Sequence, residues 1–239
     1  MKGADCMGKP KVICHMTVTL DGKVTGDFWE TEAGIAAADA YYEVNRLYKA
    51  DAFACGRVTM EGSFTGGFQP DLTAFANAQV ERKDYIADSE AKFFAVAFDR
   101  KGRLGWTASR IVDEDPGYGD AHIIEVLCED LVSDAYLAYL QRIKVSYLFA
   151  GKDELDLPLA LEKLKTLFGI EKLLLEGGSV INGAFQREGM VDALSLVVAP
   201  VVAGKEGKPL FWESTLEKYI LKELKQLEDA VFWMRYEKK

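Results

Sequence analysis

Residues 173–185 read Leu-Leu-Leu-Glu-Gly-Gly-Ser-Val-Ile-Asn-Gly-Ala-Phe, and no other stretch narrows the architecture as far. The apolar run Leu173, Leu174, Leu175, closed by Glu176, has the make-up of a buried strand. Gly177 and Gly178 stop it before Ser179, a residue able to cap a helix. Strand, tight turn and helix start thus follow one another with no spacer. A turn of two glycines has no Cβ to hold a ligand away, and the helix start presents unpaired N–H groups at the positive end of its dipole. That geometry suits a phosphate. Gly-Gly after a strand is more often an ordinary strand-to-helix connection, and the stretch has neither G-x-G-x-x-G nor Walker spacing.

The same logic recurs earlier. The apolar run 52–55 ends in Gly56-Arg57-Val58-Thr59, which adds a guanidinium for a phosphate and a hydroxyl able to cap. Two such junctions in one chain raise the case for a dinucleotide.

Around them, strands and helices alternate. Residues 11–20 read as a first strand with Val12, Cys14, Met16 and Val18 on one face and Ile13, His15, Thr17 and Thr19 on the other. Both faces are partly apolar, which places the strand centrally in a sheet covered on both sides. Asp21-Gly22 then turns the chain, and Lys23 beyond the turn is positioned either to meet an anionic ligand or to stay solvated. Residues 31–49 have helical spacing. The segment 62–71 is a glycine-rich, aromatic loop, and 92–98, 122–128 and 145–149 are strands. Asp156 caps a helix over 156–169, with Pro158 in its first turn and Gly169 at its end. Strand 192–198 stops at Ala199-Pro200, and strands 219–227 and 231–236 are joined by Glu228-Asp229-Ala230.

This order predicts a single α/β domain over residues 1–239 in three layers, with a mixed, mostly parallel central sheet and an antiparallel C-terminal hairpin. Ligands in such sheets bind beyond the carboxyl ends of the strands, where Asp21, Gly56 and Gly177 fall.

Composition removes several function classes. A net charge of −9 opposes general binding to nucleic acid or to an anionic membrane surface. No run of eighteen apolar residues occurs, and residues 1–10 lack the apolar core of a signal peptide, so a soluble cytoplasmic protein is expected. Cys6, Cys14, Cys55 and Cys128 show no C-x-x-C spacing, and His15 and His122 are the only histidines. Reduced thiols and no metal site follow. His122 reads as a partly satisfied strand-edge residue, with nothing nearby to orient it for catalysis.

With these residues assembled, the chain resembles the reductase domain at the C-terminus of the riboflavin-biosynthesis protein RibD, a member of the dihydrofolate-reductase-like fold. Three motifs carry the resemblance: Thr19-Leu20-Asp21-Gly22-Lys23, Gly56-Arg57-Val58-Thr59, and Leu174-Leu175-Glu176-Gly177-Gly178 through Phe185. Glu188-Gly189-Met190-Val191-Asp192 and Ala199-Pro200 extend it, so that it spans residues 11–211.

The resemblance implies NADPH as hydride donor. It implies Gly56, Arg57 and Thr59 along the cofactor phosphates, and Gly177, Gly178, Ser179 and Val180 at the pyrophosphate. Arg100 is the candidate for the adenosine 2′-phosphate. On the substrate side it implies Asp21, Lys23 and Glu176, with Lys23 on an anionic group, Glu176 against the heterocycle, and Lys23, Glu176 or water as proton source. The implied reaction delivers hydride to the sugar carbon of a ribosylamino-pyrimidine phosphate, in a homodimer formed through the C-terminal half of the sheet.

The chain departs from RibD after Thr59, where Met60-Glu61-Gly62-Ser63-Phe64 replaces an Asp-Asp-Pro segment and a substrate arginine. The resemblance therefore carries over the cofactor side more fully than the substrate side. No H-x-E or P-C-x-x-C of a zinc deaminase occurs, so a stand-alone reductase is expected. Two alternatives stay open: a reductase of a pterin or another small imine or carbonyl, and a non-catalytic nucleotide-binding protein of the same fold.

Overall fold

A computed structural model describes residues 8–239. Cys6 lies outside the described residues. Nine strands form one sheet in the order β5-β4-β3-β2-β6-β1-β7-β9-β8. They are β1 (Lys11–Thr19), β2 (Ala52–Gly56), β3 (Phe94–Phe98), β4 (His122–Leu127), β5 (Ser146–Phe149), β6 (Lys172–Leu175), β7 (Ala193–Ala199), β8 (Tyr219–Gln226) and β9 (Phe232–Lys238). Every pairing from β5 to β7 is parallel, and β9 is antiparallel to both β7 and β8. The expected C-terminal hairpin is present, with its second strand inserted between β7 and β8.

The helices are α1 (Glu32–Tyr48), α2 (Arg57–Met60), α3 (Asp134–Arg142), α4 (Leu157–Phe168) and α5 (Ser179–Arg187). The triple-leucine run shows how the three layers assemble. Alternation along β6 sends Leu173 and Leu175 to the face covered by α4 and α5, where they meet Ala160, Leu164 and Phe185. Leu174 goes to the opposite face with Phe53, Tyr136 and Leu140. All three leucines are buried, each worth roughly 1.5–3 kcal/mol of apolar transfer. Val12 and Cys14 of β1 share the first face and Ile13 the second, as expected of a strand flanked by β6 and β7.

Local signals set the helix ends. Thr31 caps α1 by accepting the N–H of Gly34, and Lys49 closes it in the left-handed region. Asp156 caps α4 through the Leu159 N–H, and Gly169 ends it at φ 68°.

The structure corrects the sequence reading in several places. Helix α3 falls where no helix was expected; Ser133 caps it, and Tyr136, Leu137 and Leu140 are buried. Thr59 and Ser179 do not act as caps, because Gly56 and Gly178 hold the N-cap positions of α2 and α5 without a side-chain bond. Residues Glu61–Thr65 are not open loop but a π-helical turn continuing α2, closed by Gly66 at φ 58°. His122 is no edge residue. It is buried in an interior strand, its Nε2 at 2.8 Å from Ser146 Oγ.

Candidate active site

The carboxyl ends of β2 and β6 meet where Gly56 donates its N–H to the Gly177 carbonyl at 2.7 Å. Alternation then splits the flanking residues between the faces. Phe53, Cys55 and Glu176 point to the side of α1 and α3, while Gly56 lies against Ile181 of α5 on the other. A cavity opens on each side.

The cleft on the α5 side has a volume of about 530 Å³ and is walled by three chain turns. Gly56, Arg57, Val58 and Thr59 come from the end of β2 and from α2, and Gly178, Ser179, Val180 and Ile181 from the start of α5. Asp99, Arg100, Lys101 and Arg103 come from the turn after β3, with Thr25 and Lys208 at another margin. Seven of the eight residues assigned to the cofactor from sequence thus line one cleft. Gly177 lies just behind it, at φ 98°, a conformation that favours glycine. A Cβ at Gly178 would sit 3.3 Å from Thr59 Oγ1 and one at Gly56 3.4 Å from Ile181 Cγ2, so the floor of the cleft is held open by missing side chains.

The cleft is locally cationic in an acidic protein. Arg57, Arg100, Lys101, Arg103 and Lys208 surround it. Arg57 pairs with Glu61 one turn along, Nη1 to Oε2 at 2.7 Å. Asp99 is the only carboxylate in the lining. It is buried and accepts the N–H groups of Arg103 and of Leu104, the latter at 2.9 Å, so it is spent on shaping the turn. The first turn of α5 supplies further N–H donors. Ser179 differs from expectation, since its hydroxyl donates to the Pro209 carbonyl and pins the 207–212 segment to the helix. Its contribution to the cleft is therefore its backbone.

The slot on the other side measures about 440 Å³. Tyr41, Tyr42, Phe53, Phe64 and Tyr118 form its walls, and the Glu176 carboxyl lies at its base. Oε1 of Glu176 accepts from Asn45 Nδ2 at 2.6 Å, and Oε2 from the Tyr118 hydroxyl at 3.0 Å. Burial pushes the acid up to about 7, against the downward pull of the Tyr118, Asn45 and Tyr41 hydrogen bonds. A carboxyl that exchanges its proton near neutrality, at the foot of an aromatic slot, has the properties of a general acid or base.

Asn45 and Tyr118 were not foreseen. Asn45 follows Val44 on the buried stripe of α1, so a polar residue on an apolar face was the available signal. Tyr118 sits in a loop without periodicity.

Asp21 and Lys23 line neither cavity. The Asp21 carboxylate accepts the Thr19 hydroxyl at 2.6 Å and the N–H groups of Ala203 and Gly204 at 3.0 and 3.2 Å, closing one loop onto another. Lys23 bridges to Pro209 through its backbone. It precedes Thr25 of the cleft by two positions, and its amine forms no ion pair among the described residues. Within those residues no group of three or more His, Cys, Asp or Glu could hold a metal, and no helix is long and apolar enough to cross a membrane. Cys14, Cys55 and Cys128 are buried free thiols.

The family model of the RibD C-terminal domain matches residues 10–232. A 2,5-diamino-6-ribosylamino-4(3H)-pyrimidinone 5′-phosphate reductase of Methanothermobacter thermautotrophicus is 40% identical over 63 residues, 26% of this chain and 29% of that protein. RibD of Acinetobacter baumannii superposes with a TM-score of 0.66 at 21% identity, covering 98% of this chain and 59% of the other. A pyrimidine reductase-like protein of Corynebacterium diphtheriae gives 0.65 at 16% identity, with 97% and 93% covered. The structural likenesses establish the fold. The chain spans less than a third of the curated relative's length and about three fifths of the Acinetobacter protein's.

Proposed function

The chain belongs to the RibD C-terminal domain family, and from that premise we propose that it is an NADPH-dependent reductase, a single domain transferring hydride to a ribosylamino-pyrimidine phosphate or a related heterocycle. The observation that carries this reading is the joining of the two glycine junctions in one cationic cleft, back to back with an aromatic slot that ends on Glu176.

The residues present fit a dinucleotide. Gly56 and Gly178 leave the floor clear, the first turn of α5 and Arg57 would hold the pyrophosphate, and Arg100, Lys101 and Arg103 of the 99–103 turn would hold a 2′-phosphate. NADPH, when bound, supplies the hydride. What the protein contributes is orientation: aromatic walls would fix a planar ring, and the Gly56–Gly177 hydrogen bond ties the strand ends that carry Cys55 and Glu176 of the slot to Gly56 and Gly178 of the cleft. Glu176, protonated on part of the molecules at neutral pH, holds the proton that the reduced substrate must receive. Lys23 keeps its role on an anionic substrate group in this reading, and Lys23→Ala tests it by weakening substrate without touching NADPH.

The protein acts in the cytoplasm as a homodimer. The outer strand β8 leaves Ile220, Leu221 and Leu224 exposed along the free edge of the sheet, where a second copy would cover them. Light scattering reads the mass directly.

Fluorescence titration with NADPH and, separately, NADH tests the central claim. Micromolar or tighter NADPH binding, weakened by Arg57→Ala and followed by NADPH oxidation on a pyrimidine or pterin panel, is the expected result. Tight binding with no oxidation on any substrate would leave a non-catalytic nucleotide binder, and no binding to either nucleotide would remove the reductase reading.

A further inference from the structure

Strand β4 carries a carboxyl group into the core. Its Ile124 and Val126 point to the face covered by α4 and α5, and Ile123 and Leu127 to the other, where Glu125 meets Trp106 and Tyr136. Glu125 is fully buried. Its Oε1 accepts the indole N–H of Trp106 and lies 2.7 Å from the Tyr136 hydroxyl, while its Oε2 is buried with no hydrogen-bond partner among the described residues. The same hydroxyl is 2.6 Å from the Leu104 carbonyl oxygen.

Counting protons orders these contacts. A phenol carries one proton, and a carbonyl oxygen can only accept. With the Tyr136 proton on the Leu104 carbonyl, the contact to Glu125 is donated by the acid, so Glu125 is neutral. Burial, and after it the charge of Asp99, favours the same form. A carboxylic hydroxyl donates to Tyr136 and accepts from Trp106 through one oxygen. An amide nitrogen or an amide oxygen does only one of the two.

The Leu104 carbonyl ends the turn that follows β3. Asp99 takes the N–H groups of Arg103 and Leu104, and Cys128 donates its N–H to the Arg100 carbonyl at 3.0 Å. Gly102, at φ 62°, rests on the Tyr136 ring, where a Cβ would meet Cδ1 at 2.5 Å. Tyr136 thus holds the turn at two points, and the side chains this turn presents to the cleft include Arg100, Lys101 and Arg103. Neither Tyr136 nor Glu125 lines the cleft.

We propose that Tyr136, oriented by Glu125, is a positioning residue for the phosphate that distinguishes NADPH from NADH, fixing the backbone of the 99–104 turn without touching the nucleotide. The inference rests on the reductase reading and places part of the cofactor choice outside the cleft. Arg57 and the first turn of α5 serve the pyrophosphate common to both nucleotides. Loosening the 99–104 turn should therefore weaken NADPH and spare NADH.

Fluorescence titrations with NADPH and NADH give the ratio of the two affinities in each variant. Tyr136→Phe removes the Leu104 bond and leaves the ring under Gly102. It should weaken NADPH about fivefold, the worth of one ordinary hydrogen bond, and NADH by less than about twofold. Glu125→Gln can serve Trp106 or Tyr136 but not both, and its ratio should fall by about twofold. Leu140→Ala, a core truncation one turn along α3, should lower stability and leave the ratio unchanged. Parallel loss of both nucleotides in Tyr136→Phe, an equal fall of the ratio in Leu140→Ala, or no preference for NADPH in the unaltered protein would overturn the inference and leave nucleotide-dependent reduction standing. No binding of either nucleotide to the unaltered protein removes both. Infrared difference spectra of the unaltered protein against Glu125→Gln add a readout independent of binding. A protonated carboxyl band at neutral pH that the variant lacks is expected, and a carboxylate band in its place would overturn the orientation of Tyr136 by Glu125 and the inference with it.

Discussion

The N–H of Gly56 donates to the carbonyl of Gly177 at 2.7 Å, tying the end of β2 to the residue after Glu176. This one bond lies between an aromatic slot and a cationic cleft. It requires a backbone at Gly177 that other residues adopt only with strain, φ 98°, with Met16 Cε 3.2 Å from the place a Cβ would occupy.

Gly177→Ala should accordingly cost about 1–3 kcal/mol of stability and weaken NADPH. Gly178→Ala should behave differently. Its φ of −76° is ordinary, and the added methyl meets the Thr59 hydroxyl on the cleft side. Stability should change by less than about 1 kcal/mol, while NADPH affinity falls. Denaturation midpoints measured beside nucleotide titrations separate the two. Equal stability losses in both variants would contradict this account of the junction.

The raised pKa of Glu176 carries a pH signature. Its folded value of about 7 lies above the ordinary 4.5, so between those values the folded state holds more of the proton than the unfolded state does. The contribution of Glu176 to stability is then greatest at low pH and is lost as pH rises from about 4.5 to 7. At 1.36 kcal/mol per unit, the loss is about 3 kcal/mol at most. Glu176→Gln should flatten the stability–pH curve over that window without abolishing its slope, because burial also raises Glu125 well above its usual value. Chemical denaturation at intervals between pH 4.5 and 7.5 provides the check. An unchanged slope would mean that Glu176 does not titrate there.

Tyr118 tunes that group. Its hydroxyl donates to Glu176 Oε2 at 3.0 Å and stabilises the ionised form. Tyr118→Phe should move the Glu176 titration further alkaline and cost about 1–2 kcal/mol of stability above neutrality. If Glu176 supplies the reaction's proton, the alkaline limb of the kcat profile should move in the same direction. A limb that stays in place would exclude Glu176 as the titrating donor while leaving its structural role intact.

What could be read in the chain alone was local. The β6 run and its glycines appear as expected because alternation and Cβ sterics act over a few residues, and the Thr31 and Asp156 caps declare themselves in the same way. Ser179 was misread because the Pro209 carbonyl, thirty residues on, takes its hydroxyl. The Asn45–Glu176–Tyr118 cluster joins three elements far apart in sequence, and no periodicity encodes such a meeting. Helix α3 was legible in principle, since Ser133 precedes Tyr136, Leu137 and Leu140 at helical spacing. The loop that completes the slot was not, because Asp113 and Asp115 lie in an irregular segment whose position only the fold determines.

Arg57 offers the sharpest test of the cleft. The pair it forms with Glu61 is four residues apart, across α2 and the start of the π-helical turn, and partly exposed, and helical pairs of that spacing contribute only about 0.3–0.5 kcal/mol. A bidentate phosphate contact is stronger, about 1.5–3 kcal/mol for a charged hydrogen bond, so a bound nucleotide should draw Arg57 away from Glu61. Arg57→Ala should then weaken NADPH about tenfold or more. Glu61→Gln should act in the opposite direction, since it removes both the competitor for the guanidinium and a negative charge beside the phosphates, and NADPH should bind a few-fold tighter. Salt reports on the same balance, and the advantage of Glu61→Gln should shrink as ionic strength rises. Weaker NADPH binding in Glu61→Gln would mean that the carboxylate positions Arg57 for the nucleotide instead of competing for it.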